Sequence, residues 1–201
     1  YRGFDTRIFK EQGFKAFNLG SSSQTPKETN LLLNKYLPQL KPKLIIYEVF
    51  PTCFELDGLE ASLNMISAEP LDVDFMPMLW RSLSPKLFNT FIVSCFNKWT
   101  KEQTIDLSLP FTAKDIYHEG GFVERIDTDY DFEAETPRAY SFRADQLEAF
   151  EDNVELIREQ GIDVLFVYTP VTNAFEASRT NPVLLNEYLS TFEIPFWDYH
   201  K

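Results

Sequence analysis

Three short runs of apolar residues are typical of strands buried inside a parallel sheet. They are LIIYEVFP from residue 44, IDVLFVYTP from residue 162 and IPFWD from residue 194. Continuous apolar runs indicate strands that are covered on both faces. A further segment, FKAFNLG at 14–20, alternates apolar and polar residues up to Asn18 and is also predicted to form a strand.

The segments between these strands carry apolar residues at helical spacing. Pro26 suits the first turn of a helix that runs to about Leu40. Other predicted helices cover residues 4–11, 144–161 and 181–193. Strand, helix and strand in succession form a βαβ unit with a right-handed crossover. The sequence therefore predicts an α/β fold with a doubly wound parallel sheet of at least four strands.

The strand-helix alternation is interrupted between residues 52 and 141. This stretch contains LFNTFIVSCFNKW at 87–99, which we interpret as a core helix, and a hairpin signal with Gly120 and Gly121 at its turn. We treat residues 1–201 as one domain, and residues 52–141 as an insertion that forms a lid or a substrate wall.

Charge and composition exclude several classes of protein. The net charge is −12 and there is no strongly basic run, which argues against nucleic acid as a partner. No run of 18 apolar residues is present, so no membrane span is predicted in these residues. The two cysteines leave open a single disulfide or two free thiols.

The stretch DTDYDFEAE at 127–135 alternates acidic residues with others, which suggests a cation-binding loop. The calcium-loop template requires Gly at its sixth position and Glu at its twelfth, and these positions are Phe132 and Arg138. The template fails, and an acidic edge or a solvated loop fits better. We therefore predict no metal site, and no organic cofactor is required by any motif.

Open α/β sheets bind ligands beyond the carboxyl ends of their strands, so the residues that follow the strands are candidates for a site. They include, as candidate substrate-binding residues, Asn18, Ser21, Ser22, Gln24, Tyr47, Tyr168 and Pro170.

The loop GSSSQT after Asn18 has two interpretations. Gly20 lets the backbone approach a ligand closely, and N–H groups at a helix N-terminus stabilise developing negative charge. Alternatively, Ser23 or Thr25 only caps the helix and Gly20 only makes a turn. Local chemistry leaves both open and favours the cap.

Together, NLGSSSQTPKETNLLL and PKLIIYEVFP resemble the second and third conserved blocks of the SGNH (GDSL-type) hydrolases, closest to their bacterial cell-envelope branch. The resemblance implies serine-dependent ester hydrolysis or O-acyl transfer, with an O-acetylated glycan as a candidate substrate and no cofactor. Gly20 matches the glycine whose N–H helps to hold the oxyanion. The third block normally ends in an asparagine, and Glu48 stands near that place. Gly20 and Glu48 are therefore the candidate catalytic residues.

The nucleophile and base blocks of that family are not found in this sequence. The opening YRGFDTRIFKEQGF resembles the segment just downstream of the nucleophilic serine, and the chain starts with Tyr1. The tail holds Asp198 and His200 at spacing Asp-x-His, whereas the family block is Asp-x-x-His. We therefore expect an internal segment of a longer envelope protein, either periplasmic or membrane-anchored.

Three alternatives stay open. Ser21, Ser22 or Ser23 with His200 could form an internal triad. A non-catalytic module of the same type could bind a glycan or an envelope partner protein, which the aromatic-rich insertion suits. A flavodoxin-like nucleotide binder is weaker, because neither a Gly-x-Gly-x-x-Gly nor a Walker loop is present.

Overall fold

The computed structural model describes residues 3–68, 84–100, 115–126 and 136–199. The helices are α1 (Thr6–Glu11), α2 (Pro26–Leu40), α3 (Leu59–Ala68), α4 (Pro85–Thr100), α5 (Ala144–Glu159), α6 (Asn173–Ala177) and α7 (Leu184–Ser190), with a 3-10 turn at Pro51–Phe54. The strands are β1 (Leu44–Glu48), β2 (Asp115–His118), β3 (Phe122–Arg125), β4 (Asp163–Tyr168) and β5 (Phe196–Asp198).

Three of these strands form a parallel sheet in the order β1-β4-β5. Tyr47 pairs with Phe166 between β1 and β4, and Phe166 pairs with Phe196 between β4 and β5. The three strands are those predicted from the apolar runs, so the α/β class is confirmed. β2 and β3 form a separate antiparallel hairpin, as Gly120 and Gly121 at its turn predicted.

The core lies between the sheet and the helices. Leu33 and Leu37 of α2 pack with Ile157 of α5 beneath β1 and β4. A second cluster joins the fully buried Phe150 and Phe166 to Leu185 and Leu189 of α7. The side of α5 that carries Phe150 and Ile157 therefore packs against the sheet.

Helix α2 begins directly after the Gly-Ser loop because its first turn is well capped. The Thr25 hydroxyl and the Glu28 carboxylate form a reciprocal capping box, and Pro26 occupies the first turn. Pro38 lies in the last turn, and Lys41 ends the helix with a left-handed φ of 44°. The helix predicted from Pro26 to about Leu40 is confirmed.

The strand predicted at 14–20 is not formed, and these residues have no regular secondary structure. A strand needs a hydrogen-bonded neighbour, and within the described ranges no strand pairs with this segment. The Asn18 N–H instead donates to the Gly120 carbonyl at 2.7 Å. The alternation of apolar and polar residues is present in this segment, but the described residues supply no neighbouring strand to pair with it.

The insertion shows a second departure from expectation. Helix α4 is only partly a core helix: Leu87 is buried, whereas Ile92 and Phe96 are exposed. Cys53 and Cys95 are free thiols. The acidic stretch 127–135 lies outside the described residues, as does His200. None of the described helices is both long and apolar enough to cross a membrane.

Candidate functional site

The loop that follows Asn18 is closed by its own side chains. Asn18 Oδ1 accepts the Gly20 N–H at 2.9 Å. The Ser21 N–H and hydroxyl both donate to Gln24 Oε1, at 2.8 and 3.0 Å, and Gln24 Nε2 donates to Thr29 Oγ1 at 2.9 Å. The expected oxyanion donor, the N–H of Gly20, is therefore held by Asn18, and a ligand must displace that side chain to reach it.

Asn18 also fastens this loop to two other segments. Its Nδ2 donates to the Phe4 carbonyl at 3.2 Å, and its own N–H donates to the carbonyl of Gly120 in the hairpin turn. Gly121 has φ +88°, and a Cβ built there would overlap the Asn18 carbonyl oxygen. Only glycine fits at that point, so the hairpin turn sits directly against the loop.

Glu48 lies at the carboxyl end of β1, where it meets the next strand of the sheet. The Thr169 hydroxyl, just after β4, donates to Glu48 Oε1 at 2.6 Å. A Cβ built on Gly3 would lie 3.8 Å from both Glu48 carboxylate oxygens, so the backbone of Gly3 passes beside this carboxylate. Phe4 is bonded to Gly3 in the chain, so a continuous series of contacts runs from Gly20 through Asn18, Phe4 and Gly3 to Glu48.

The remaining polar residues of the loop support helices. Glu28 is 2% exposed and accepts from the Thr25 N–H at 3.1 Å, from the Thr25 hydroxyl, and from the Ser62 hydroxyl at 2.7 Å. Burial raises the pKa of Glu28, while these hydrogen bonds act in the opposite direction. Thr25 is thus a helix cap, as the plainer interpretation predicted.

The serines of the loop differ in their surroundings. Ser22 is exposed, and Ser23 adopts a left-handed φ of 54° and donates to Glu60 Oε2 at 3.3 Å. Ser21 lies half-buried against Gln24. His118, the histidine within the described residues, lies in the hairpin with its Nε2 2.8 Å from Glu124 Oε2. The described residues thus place no serine of this loop in a bond with a histidine.

Tyr47 lies in the core, on the face of β1 that the helices cover. Its ring centroid is 5.0 Å from that of Phe150, and its hydroxyl accepts from Asn153 Nδ2 at 3.1 Å. Burial raises the pKa of the Tyr47 phenol. Successive strand residues point to opposite faces, so Tyr47 and Glu48 occupy different environments although they are neighbours.

Tyr168 closes a small cavity beyond the end of β4. The cavity, with room for about one water molecule, is lined by Pro51, Tyr140, Tyr168, Glu176, Arg179 and Pro182. Burial, and then the hydrogen bond with Tyr140, raises the pKa of Tyr168. Arg179 stacks over the Phe175 ring at 4.3 Å. Pro170 is exposed just beyond this cavity.

Sequence reasoning missed several residues that build this region. Thr169 is not among the predicted site residues, although a hydroxyl one residue beyond a strand is a usable signal. Gly3 and Asn153 gave no local signal, because their partners are distant in the chain.

Comparisons with models of known protein families, with curated proteins and with solved structures find no match to this chain.

Proposed function

We propose that this α/β domain is part of an SGNH-type serine ester hydrolase or O-acyltransferase of the bacterial cell envelope, with an O-acylated glycan as its candidate substrate. The observation that carries the proposal is the run of contacts at the carboxyl ends of β1 and β4. It joins the Gly20 N–H and Asn18 to Phe4 and Gly3, and these to the carboxylate of Glu48.

The position of Gly3 supports a nucleophilic serine that comes from the chain before these residues. In the resembling family the nucleophilic serine comes just before the segment that matches residues 1–14, and Gly3 lies beside Glu48 at the ligand-binding edge of the sheet. A serine delivered by the adjoining chain would enter the site between Glu48 and the loop that holds Gly20. The base histidine would likewise come from outside residues 1–201.

Each residue of the site then has a chemical task. The Gly20 N–H donates to the substrate carbonyl oxygen once that oxygen replaces Asn18 Oδ1. Glu48 is an acceptor and cannot hold an oxyanion, so its task is to accept a hydrogen bond from a substrate hydroxyl or from a neighbouring catalytic group. The Thr169 hydroxyl fixes the carboxylate for that purpose.

A fluorophosphonate probe tests this proposal on the complete natural polypeptide that contains these residues. We expect covalent labelling at one serine outside residues 1–201, mapped by peptide mass spectrometry, and loss of labelling when that serine is changed to alanine. Ser22→Ala is the matched control, because Ser22 is exposed on the loop, and it should label normally. A folded protein that does not label, or that labels within residues 21–23, contradicts the proposal.

A second candidate function is a non-catalytic module of the same architecture that binds a glycan or an envelope partner protein. The Gly20 N–H is already satisfied by Asn18, and Glu48 stands near the place of the oxyanion asparagine. Both features suit a site that binds hydroxyl groups without stabilising an oxyanion. The absence of probe labelling, together with glycan binding that Glu48→Gln weakens, would favour this module.

A further inference from the structure

The parallel sheet presents a row of three residues on the side away from the helix-covered core. Trp197 in β5 pairs with Val167 in β4, and Val167 pairs with Glu48 in β1. Residues paired across a parallel sheet point to the same side, and successive residues of one strand point to opposite sides. Tyr47, the neighbour of Glu48, lies in the core, so this row of three residues lies on the opposite face.

Tyr199 adds a second aromatic ring to the same face. Its N–H donates to the Tyr168 carbonyl at 2.9 Å, so the chain continues in line beyond the end of β5. Tyr199 is two positions from Trp197 and therefore shares its side of the sheet. The two ring centroids are 6.3 Å apart with the planes at 85°, and the residues are 55% and 53% exposed. We call Trp197 and Tyr199 the aromatic pair.

The aromatic pair is close to the polar end of the candidate site. Neighbouring strands lie about 4.8 Å apart, which puts the Cα atom of Trp197 about 10 Å from that of Glu48. Val167 is buried between them. Glu48 is exposed, and the Thr169 hydroxyl holds its carboxylate. One small ligand can therefore contact an exposed aromatic ring and a fixed carboxylate together.

We propose that the aromatic pair and Glu48 bind a neutral sugar ring of a glycan, with the ring stacked on Trp197 and a sugar hydroxyl donating to Glu48. An aromatic ring has an electron-rich face, and the C–H groups of a sugar ring carry partial positive charge because each carbon is bonded to oxygen. A carboxylate accepts the hydroxyl hydrogens at the rim of the sugar. Trp and Tyr are rigid and supply this contact area at a low cost in conformational entropy.

Area and charge argue against other occupants of this surface. A Trp or Tyr side chain buries up to roughly 250 Å², and about half of each residue is exposed, so the pair offers on the order of 250 Å². A stable protein complex needs about 800 Å² from each partner. The Glu48 carboxylate also repels uronic acids, phosphates and anionic lipid head groups. A neutral sugar fits both the area and the charge.

Saturation-transfer difference NMR tests this site on the complete natural polypeptide that contains these residues. The probes are two neutral oligosaccharides, cellotetraose and chitotetraose, and the anionic tetragalacturonate as a comparison. We expect saturation of the C–H protons of at least one neutral probe and a weaker response from tetragalacturonate. The proposal is overturned if neither neutral probe is saturated.

Variants at Trp197 separate ring stacking from apolar contact in general. Trp197→Leu keeps an apolar side chain without an aromatic face, and we expect it to raise the Kd of the bound probe at least about tenfold. Trp197→Phe keeps an aromatic face and should retain most of the affinity. Phe14→Ala is the matched control, because Phe14 is an exposed aromatic residue away from the sheet face, and it should bind normally. Equal affinities of the Leu and Phe variants overturn the proposal.

This inference rests on the proposed function, because it assigns the sugar-binding part of the same site. The two can still fail separately, since the fluorophosphonate probe carries no sugar. Labelling of the natural polypeptide without binding of a neutral probe overturns the sugar site alone. Binding that Trp197→Leu weakens, without any labelling, overturns the esterase and supports the sugar site.

Sedimentation velocity tests the competing occupant, a second copy of this chain. If the natural polypeptide is a dimer that Trp197→Leu converts to a monomer, and the neutral probes do not bind, the aromatic pair is a subunit interface and the proposal is overturned. We expect no change of oligomeric state in this variant.

Discussion

Gly58 and Glu28 form a close contact beside the candidate loop, and replacing Gly58 with alanine should be strongly destabilising. Gly58 has φ +80°, and an added Cβ would lie 2.5 and 2.9 Å from the two carboxylate oxygens of Glu28. That carboxylate cannot withdraw easily, because it is buried and bonded to Thr25 and Ser62.

Two physical effects set the magnitude for Gly58→Ala. A left-handed backbone costs an alanine roughly 1–2 kcal/mol. Displacing the buried carboxylate of Glu28 from its hydrogen bonds costs about 1–3 kcal/mol. We therefore expect the free energy of unfolding to fall by about 2–5 kcal/mol, a large part of the roughly 5–15 kcal/mol typical of a domain.

Urea denaturation, followed by circular dichroism, measures this loss. Gly161→Ala is the matched control, because Gly161 has φ +67° and an added Cβ meets no atom within 4 Å. It should show the backbone effect alone, about 1–2 kcal/mol. Aspartate is shorter than glutamate and leaves room for the added methyl group. The loss of unfolding free energy in G58A/E28D should therefore be smaller than the sum of the losses in the two single variants. A loss for Gly58→Ala no larger than that for Gly161→Ala would refute the reasoning.

Two further predictions concern the hairpin and the thiols. Gly121→Ala should loosen the hairpin from the loop, because the added Cβ overlaps the Asn18 carbonyl oxygen. Limited proteolysis should then cut the hairpin faster, and unchanged protection would contradict the close packing. Burial raises the pKa of Cys53 to about 12, so Cys53 stays a thiol at pH 8 while the exposed Cys95 is accessible to iodoacetamide. Mass spectrometry should find Cys95 modified much faster, and equal rates would contradict the raised pKa of Cys53.

The strands could be predicted where the sequence pattern and the packing agree. β1, β4 and β5 are apolar runs whose side chains fill a helix-covered sheet, and the Gly120-Gly121 pair specifies a turn by backbone geometry alone. Residues 14–20 show the limit of this approach. Alternation describes one chain segment, whereas a strand is defined by a neighbour that the pattern does not contain.

The rule about the carboxyl ends of parallel strands accounts for the positions of Glu48 and Tyr168, which end β1 and β4. It does not account for Asn18 and Gly20, because the strand expected before them is not formed. The hydrogen bond between Glu48 and Thr169 joins residues 121 positions apart, and no local spacing encodes such a pair. The separation of Tyr47 from Glu48 followed from strand alternation and could have been deduced in advance.

The hydrogen bond between Asn18 and Gly20 bears on both candidate functions. Its strength determines how far it weakens the binding of a substrate carbonyl to the Gly20 N–H. A neutral hydrogen bond of this kind contributes about 0.5–1.5 kcal/mol net, so a substrate carbonyl that takes over the Gly20 N–H recovers most of what is lost. An occupied N–H therefore lowers affinity by roughly tenfold at most, and it does not exclude an oxyanion hole. Glu48 is the stronger constraint, because a carboxylate repels a developing oxyanion and cannot donate to it. If the domain is catalytic, Glu48 must face a hydroxyl or a cationic group and not the reacting carbonyl.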